Sequence, residues 1–133
     1  MPMKANVIFC EKVVNTSVNG EYKASVVAPL TELKPISIPS NYTFHVLCSI
    51  TGINSEIENK IKLTFLDPIE CVVFSTGDVC VPPADHKANT LQFALEMVNT
   101  ELYYEGEYKF SVHVNGELIY ETPLNVVNGG KND

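Results

Sequence analysis

Asn115-Gly116 stands between two runs of alternating apolar and polar residues, Gly106 to Val114 and Glu117 to Val127. This arrangement is a β-hairpin. A two-residue type I′ turn needs positive φ at both central positions, and Asn-Gly tolerates that at the least cost. In this register Tyr108, Phe110, Val112 and Val114 are expected on the core side with Leu118, Tyr120 and Leu124.

The rest of the chain repeats the pattern. Strands are expected over Lys4–Val14, Glu21–Ala28, Asn41–Thr51 and Lys60–Leu66. Asn19-Gly20 marks a turn after the first, and the prolines at 29, 35 and 39 mark a crossing loop or a broken edge after the second. Asp67-Pro68 ends the fourth. Glu70–Val81 reads as a strand with Gly77 inside it, either as a bulge or as a full reversal. Lys87–Val98 carries both periodicities. Leu91, Phe93, Leu95 and Met97 alternate as in a strand, while Ala88, Leu91, Leu95 and Val98 also fit a helical stripe; the unbroken alternation favours strand. Seven to nine strands at these spacings imply an all-β chain folded as an antiparallel, Ig-like β-sandwich. One domain is expected over 4–127, with a disordered tail at 128–133.

Charge narrows the function. The 133 residues carry a net charge of −7, with nine Lys and no Arg. Nucleic-acid affinity rests on cationic neutralisation of phosphate, so no nucleic-acid ligand is expected. The same deficit argues against an anionic membrane surface. No apolar run approaches the roughly 18 residues of a membrane span, and Met1–Cys10 runs straight into Glu11-Lys12 without the look of a secretory leader. The chain is therefore expected in the cytoplasm.

Cys10, Cys48, Cys71 and Cys80 are scattered, with no close pair to hold zinc. In a reducing compartment they are expected as free thiols, mostly buried. Cys71 and Cys80 would face one another only if the chain reversed near Gly77. The Cys–Cys core pair of antibody domains has no counterpart, because the Trp that packs on it is missing.

Several pieces, taken together, resemble a group of small bacterial β-sandwich proteins of unknown function with an Ig-like fold. They are Pro39 before the third strand, Leu66-Asp67-Pro68, Val81-Pro82-Pro83, Gly106-Glu-Tyr-Lys-Phe110, Val114-Asn-Gly-Glu-Leu-Ile119, Thr122-Pro123-Leu124 and Val126. The resemblance spans Lys4 to Val127. It departs after the second strand, where Ala28, Leu30 and Thr31 stand in place of a Gly-x-Phe-Asp stretch. It implies a sandwich in a bacterial cytosol and supplies no catalytic residue.

A search for chemistry yields little. His45 and His113 share the outward phase of their strands and would lie together if those strands were neighbours, as a metal site would need. His86 follows Asp85 in a polar loop. Loop carboxylates at Asp67, Glu70, Asp78 and Asp85, and the Glu101, Glu105, Glu107 group, lack the close spacing of a calcium site. No nucleophile elbow and no phosphate loop is present. Tyr103-Tyr104 is the more informative pair, because tyrosine in a loop gives large contact area at low entropic cost.

The expectation is a non-catalytic binding or protein-interaction module. Its partner is an unidentified protein or a second copy, and it has no cofactor and no catalytic or metal-binding residue. Tyr103, Tyr104, His45 and His113 are the candidate surface. A small-molecule or metal-binding sandwich is the alternative.

Overall fold

In a computed structural model the chain is described over residues 3–18, 20–83 and 90–130. Among the described residues ten strands form two packed sheets. They are β1 (Lys4–Val18), β2 (Glu21–Leu30), β3 (Glu32–Leu33), β4 (Ser40–Thr51), β5 (Asn59–Leu66), β6 (Val72–Ser75), β7 (Val79–Val81), β8 (Thr90–Leu102), β9 (Gly106–Val114) and β10 (Glu117–Val126). The first sheet runs β2-β1-β4-β8, and the second runs β3-β10-β9-β5-β6, with β7 also on β5. Every pairing is antiparallel except the short β3–β10 contact. No helix long and apolar enough to cross a membrane occurs among the described residues.

This order is that of an immunoglobulin-like sandwich. β1, β4 and β8 take the places of strands A, B and E, and β10, β9 and β5 those of G, F and C. β6 and β7 extend the second sheet past β5 as strand C′ does. A further hallmark is Tyr108, two residues into β9. Its hydroxyl donates to the Tyr104 carbonyl at 2.9 Å. That contact is the tyrosine corner where the chain crosses between sheets.

Between the sheets an aromatic cluster fills the space that antibody domains give to a disulfide and Trp. Phe65 of β5 lies 5.2 Å from Tyr108, stacked, and 5.9 Å from Phe44; Phe9 meets Phe110 edge-on at 5.8 Å. Phe44, Phe65, Tyr108 and Phe110 are fully buried. Cys48 is buried among them, and burial pushes its thiol up to about 11.

The expected hairpin is present. Asn115 and Gly116 both have positive φ, 52° and 85°, and Val114 pairs with Glu117 across them. Asn115 does more than turn the chain. Its Oδ1 accepts from the Lys60 amide at 2.9 Å, its Nδ2 donates to Asn59 Oδ1 at 3.0 Å, and its own amide donates to the Lys60 carbonyl at 2.8 Å. The turn is thereby clipped to the start of β5. One expectation fails here. Leu118 is exposed, because an extra residue is inserted between Leu118 and Tyr120. Side chains alternate with period two, so one inserted residue exchanges inner for outer positions. Leu118 therefore shares the outer face with its partner His113.

Gly77, with φ 64°, marks a bulge and not a reversal. Both β6 and β7 pair antiparallel with β5, Ser75 with Thr64 and Val79 with Ile61. Cys71 thus sits near Leu66 and Cys80 opposite Lys60. The separation is about six residues of strand, or roughly 20 Å, far beyond the reach of a disulfide. Both of these cysteines are exposed, against the expectation of burial, whereas Cys10 and Cys48 are buried.

The ambiguous segment is a strand from Thr90, pairing with β4 as far as Leu102. Asp85 and His86 lie outside the described residues. The expected tail begins differently as well. The Val127 amide donates to Leu33, Asn128 to Glu105 Oε1 and Gly129 to Pro35, so residues 127–129 follow the loop after β3. Residues 131–133 lie outside the described residues.

Candidate functional site

Two loops at one end of the sandwich are locked side by side. The first follows β5. Asp67 is buried, and its Oδ1 accepts from the amides of Ile69 at 3.0 Å and Cys71 at 2.9 Å. Its backbone amide donates to the Cys71 carbonyl at 2.9 Å, and its carbonyl accepts from Glu70 at 2.9 Å. Aspartate makes such turns because its short carboxylate reaches the amide two residues on. Glu70, with φ 64°, completes the reversal. The turn leaves Ile69 no inward direction.

The second loop joins β8 to β9 and carries Tyr103 and Tyr104. The tyrosine corner fixes it from within, since Tyr108 Oη also lies 3.4 Å from the Tyr104 amide. Burial raises the Tyr108 hydroxyl above its ordinary range, partly offset by its bond with the Tyr104 backbone, and the Asp67 carboxylate adds to the rise. The Asp67 turn lies beside the corner, since Asp67 lines one cavity with Tyr103 and Tyr104. Gly106 closes the join. A Cβ there would lie 3.1 Å from Pro68 Cγ, and its φ of 134° also favours glycine.

The result is a shared apolar surface. Ile69 is 61% exposed, Val72 62%, Tyr103 58% and Tyr104 46%. A shallow cavity of about 240 Å³ between them is lined by these residues with Cys71 and Glu101. Tyr103 Oη donates to Glu101 Oε2 at 3.1 Å, which raises the Tyr103 hydroxyl. Exposed aromatic and aliphatic side chains gathered in this way are uncommon on the surface of a single chain.

The expected candidates divide. Tyr103 and Tyr104 belong to this surface. His45 and His113 do not come together, because β4 and β9 lie in different sheets and are not neighbours. His45 is mostly covered. Its Nδ1 accepts from the Val13 amide at 3.2 Å, and its Nε2 lies 3.9 Å from Glu96. His113 sits on the outer face of the second sheet, opposite Lys62 and Leu118. Among the described residues no three His, Cys, Asp or Glu side chains gather as a metal-binding group.

The sequence singled out Cys71 only as a thiol and did not single out Ile69 or Val72; Val72 is hidden because Glu70–Val81 reads as one apolar strand. One signal was available: an isoleucine directly after Asp-Pro, inside a turn, has nowhere to be buried. A larger cleft of about 470 Å³ lies at the hairpin end, lined in part by Asn54, Ile57, Asn59 and Asn115. Asn59 there is fully engaged, donating to the carbonyls of Asn54 and Ile57 and accepting from Asn115. Those polar groups hold the loops and the turn in place.

The family model described as a family of unknown function (DUF6941) matches residues 6–127. Among solved structures, the crystal structure of an immunoglobulin-like protein from Pseudomonas aeruginosa is similar at 17% identity, with a TM-score of 0.48, covering 96% of this chain and 98% of that one. No curated protein matches the chain.

Proposed function

The chain belongs to this DUF6941 family, and we propose that it works by binding another protein, without chemistry of its own. The observation that carries this reading is the exposed group Ile69, Val72, Tyr103 and Tyr104. Two of them, Ile69 and Tyr104, sit on backbone held by internal devices that have no need to expose their side chains. The Asp67 turn would serve equally well with a polar residue at 69, and the tyrosine corner uses only the Tyr104 backbone. Tyrosines and aliphatic side chains on loops with fixed backbones form a preorganised contact surface, which lowers the ordering cost of binding.

The test compares the wild-type chain with Ile69→Ser and Tyr103→Ser. Each is used as bait in its native host with in-cell crosslinking and mass spectrometry, and sedimentation of the pure proteins follows self-association. A protein that crosslinks to the wild type and is lost in both variants, at unchanged thermal midpoint, supports the reading. Identical crosslinking by all three chains would overturn it.

A further inference from the structure

We infer that the partner presents a basic extended segment, which lies in the groove between β6 and β8 and ends on the Tyr103–Tyr104 surface. The inference rests on the binding role proposed above and names the chemistry of its partner.

β6 and β8 are the outer strands of their two sheets among the described residues. The sandwich is open along this side, so two sheet edges face a common groove. A cavity of about 330 Å³ runs there, lined by Val73 and Phe74 of β6 and by Glu96 to Glu101 of β8. It shares Val73 and Glu101 with the cavity beneath Tyr103, so the two form one path. Six consecutive residues of β8 line it, a length of about 20 Å, which matches about six residues of extended chain. Edge strands keep unpaired amides and carbonyls that an extended chain can engage.

The bulge in β8 shapes the groove. The register slips between Tyr42 and Phe44, Asn99 takes φ 50°, and its amide bonds Thr43 Oγ1 at 3.0 Å. The extra residue keeps Thr100 and Leu102 facing inward, as Met97 does, while Val98 stays outside, 55% exposed. Val98 and Val72 then offer apolar contacts along the path to Tyr103.

The charge along this path has one sign. Glu96, Glu101 and Asp67 line the path, and among the described residues no lysine does. At the turn Lys109 lies 3.7 Å from Glu70, and His45 Nε2 of β4 lies 3.9 Å from Glu96 of β8, but neither Lys109 nor His45 lines the groove. A second copy would bring the same carboxylates against one another on a chain already at −7. A segment that carries both apolar residues and Lys or Arg matches both features, its apolar side chains on Val72, Val98 and Tyr103 and its cations on Glu96 and Glu101, which share the exposed face of β8 with Val98.

The test uses end-blocked extended peptides composed of Val and Lys, with a Val–Glu counterpart of the same pattern, titrated into the isotope-labelled full chain. The Val–Lys peptide should shift the amides of Val72, Val98 and Tyr103. It should bind about tenfold more weakly to a Glu96→Lys/Glu101→Lys double variant of unchanged thermal midpoint, whereas the Val–Glu peptide leaves the spectrum unmoved. Equal binding of both peptides, shifts centred elsewhere, or no shift at millimolar peptide would overturn the inference. If the crosslinked partner of the preceding experiment is nevertheless lost on Tyr103→Ser, the binding role survives and only the basic-segment assignment falls.

Discussion

At the scale of single residues, Asn115 shows how one side chain can serve two purposes. Its positive φ shapes the turn, and its amide group clips that turn to Lys60 and Asn59. The two roles are separable. Asn115→Gly keeps the left-handed conformation and removes only the clip, so it should cost about 1–2 kcal/mol, the usual scale for lost hydrogen bonds at a partly buried site. Gly116→Val leaves the clip and forces a β-branched residue to φ 85°, at a cost of about 1–3 kcal/mol. Nothing lies within 4 Å of a Cβ at Gly116, so this cost is conformational. Urea melts of both variants check the values. A neutral Asn115→Gly would mean the side-chain bonds add nothing to the turn.

At the scale of elements, the crossing from β8 to β9 controls the candidate surface. Tyr108 is buried in the aromatic cluster and bonds outward to the Tyr104 backbone. Tyr108→Phe preserves the packing and leaves the Tyr104 carbonyl without this donor. The expected loss is about 1 kcal/mol of global stability. Amide exchange should quicken in Tyr103, Tyr104 and Glu105 while the strands away from the corner keep their protection. Hydrogen-exchange mass spectrometry separates these outcomes. Uniform loosening of the whole chain would show that the corner holds the sandwich together generally and does not specifically order the loop.

At the scale of the whole molecule, stability should decline in alkali for a specific reason. Burial raises the Cys48 thiol from 9.0 to about 11 in the folded state. The folded chain therefore holds its proton where the unfolded chain releases it. The stabilisation is complete below pH 9 and is lost as pH rises towards about 11, with a limit near 2–3 kcal/mol by linkage. Tyr108, also raised, adds to the decline at higher pH. Cys48→Val, close in volume and without a proton to lose, should show a shallower alkaline decline in urea melts taken from pH 8 to 11. Parallel declines in the two proteins would assign the effect elsewhere.

How much of this was legible beforehand follows from the range over which each feature acts. The two-sheet architecture was readable because strand alternation and Asn-Gly turns act over a few residues, and Asn115-Gly116 took the φ values its chemistry favours. The same local signals put Tyr103 and Tyr104 in a loop, and the structure leaves both exposed. Inserted residues defeated the simple alternation at Leu118, because a bulge reverses every position beyond it and depends on the partner strand. Gly77 stayed ambiguous until β5 was seen to pair on both sides of it. Asn128 and Gly129 look like a polar tail until the loop after β3 supplies their hydrogen-bond partners. Strand neighbourhood was hidden most completely. Periodicity placed His45 and His113 on outward faces, and only the sheet order put them in different sheets; only the fit of Gly106 against Pro68 joined Ile69 and Val72 to the tyrosines. Backbone preference is written residue by residue along the chain, whereas proximity between distant loops is settled by how two sheets pack, which no short stretch of sequence contains.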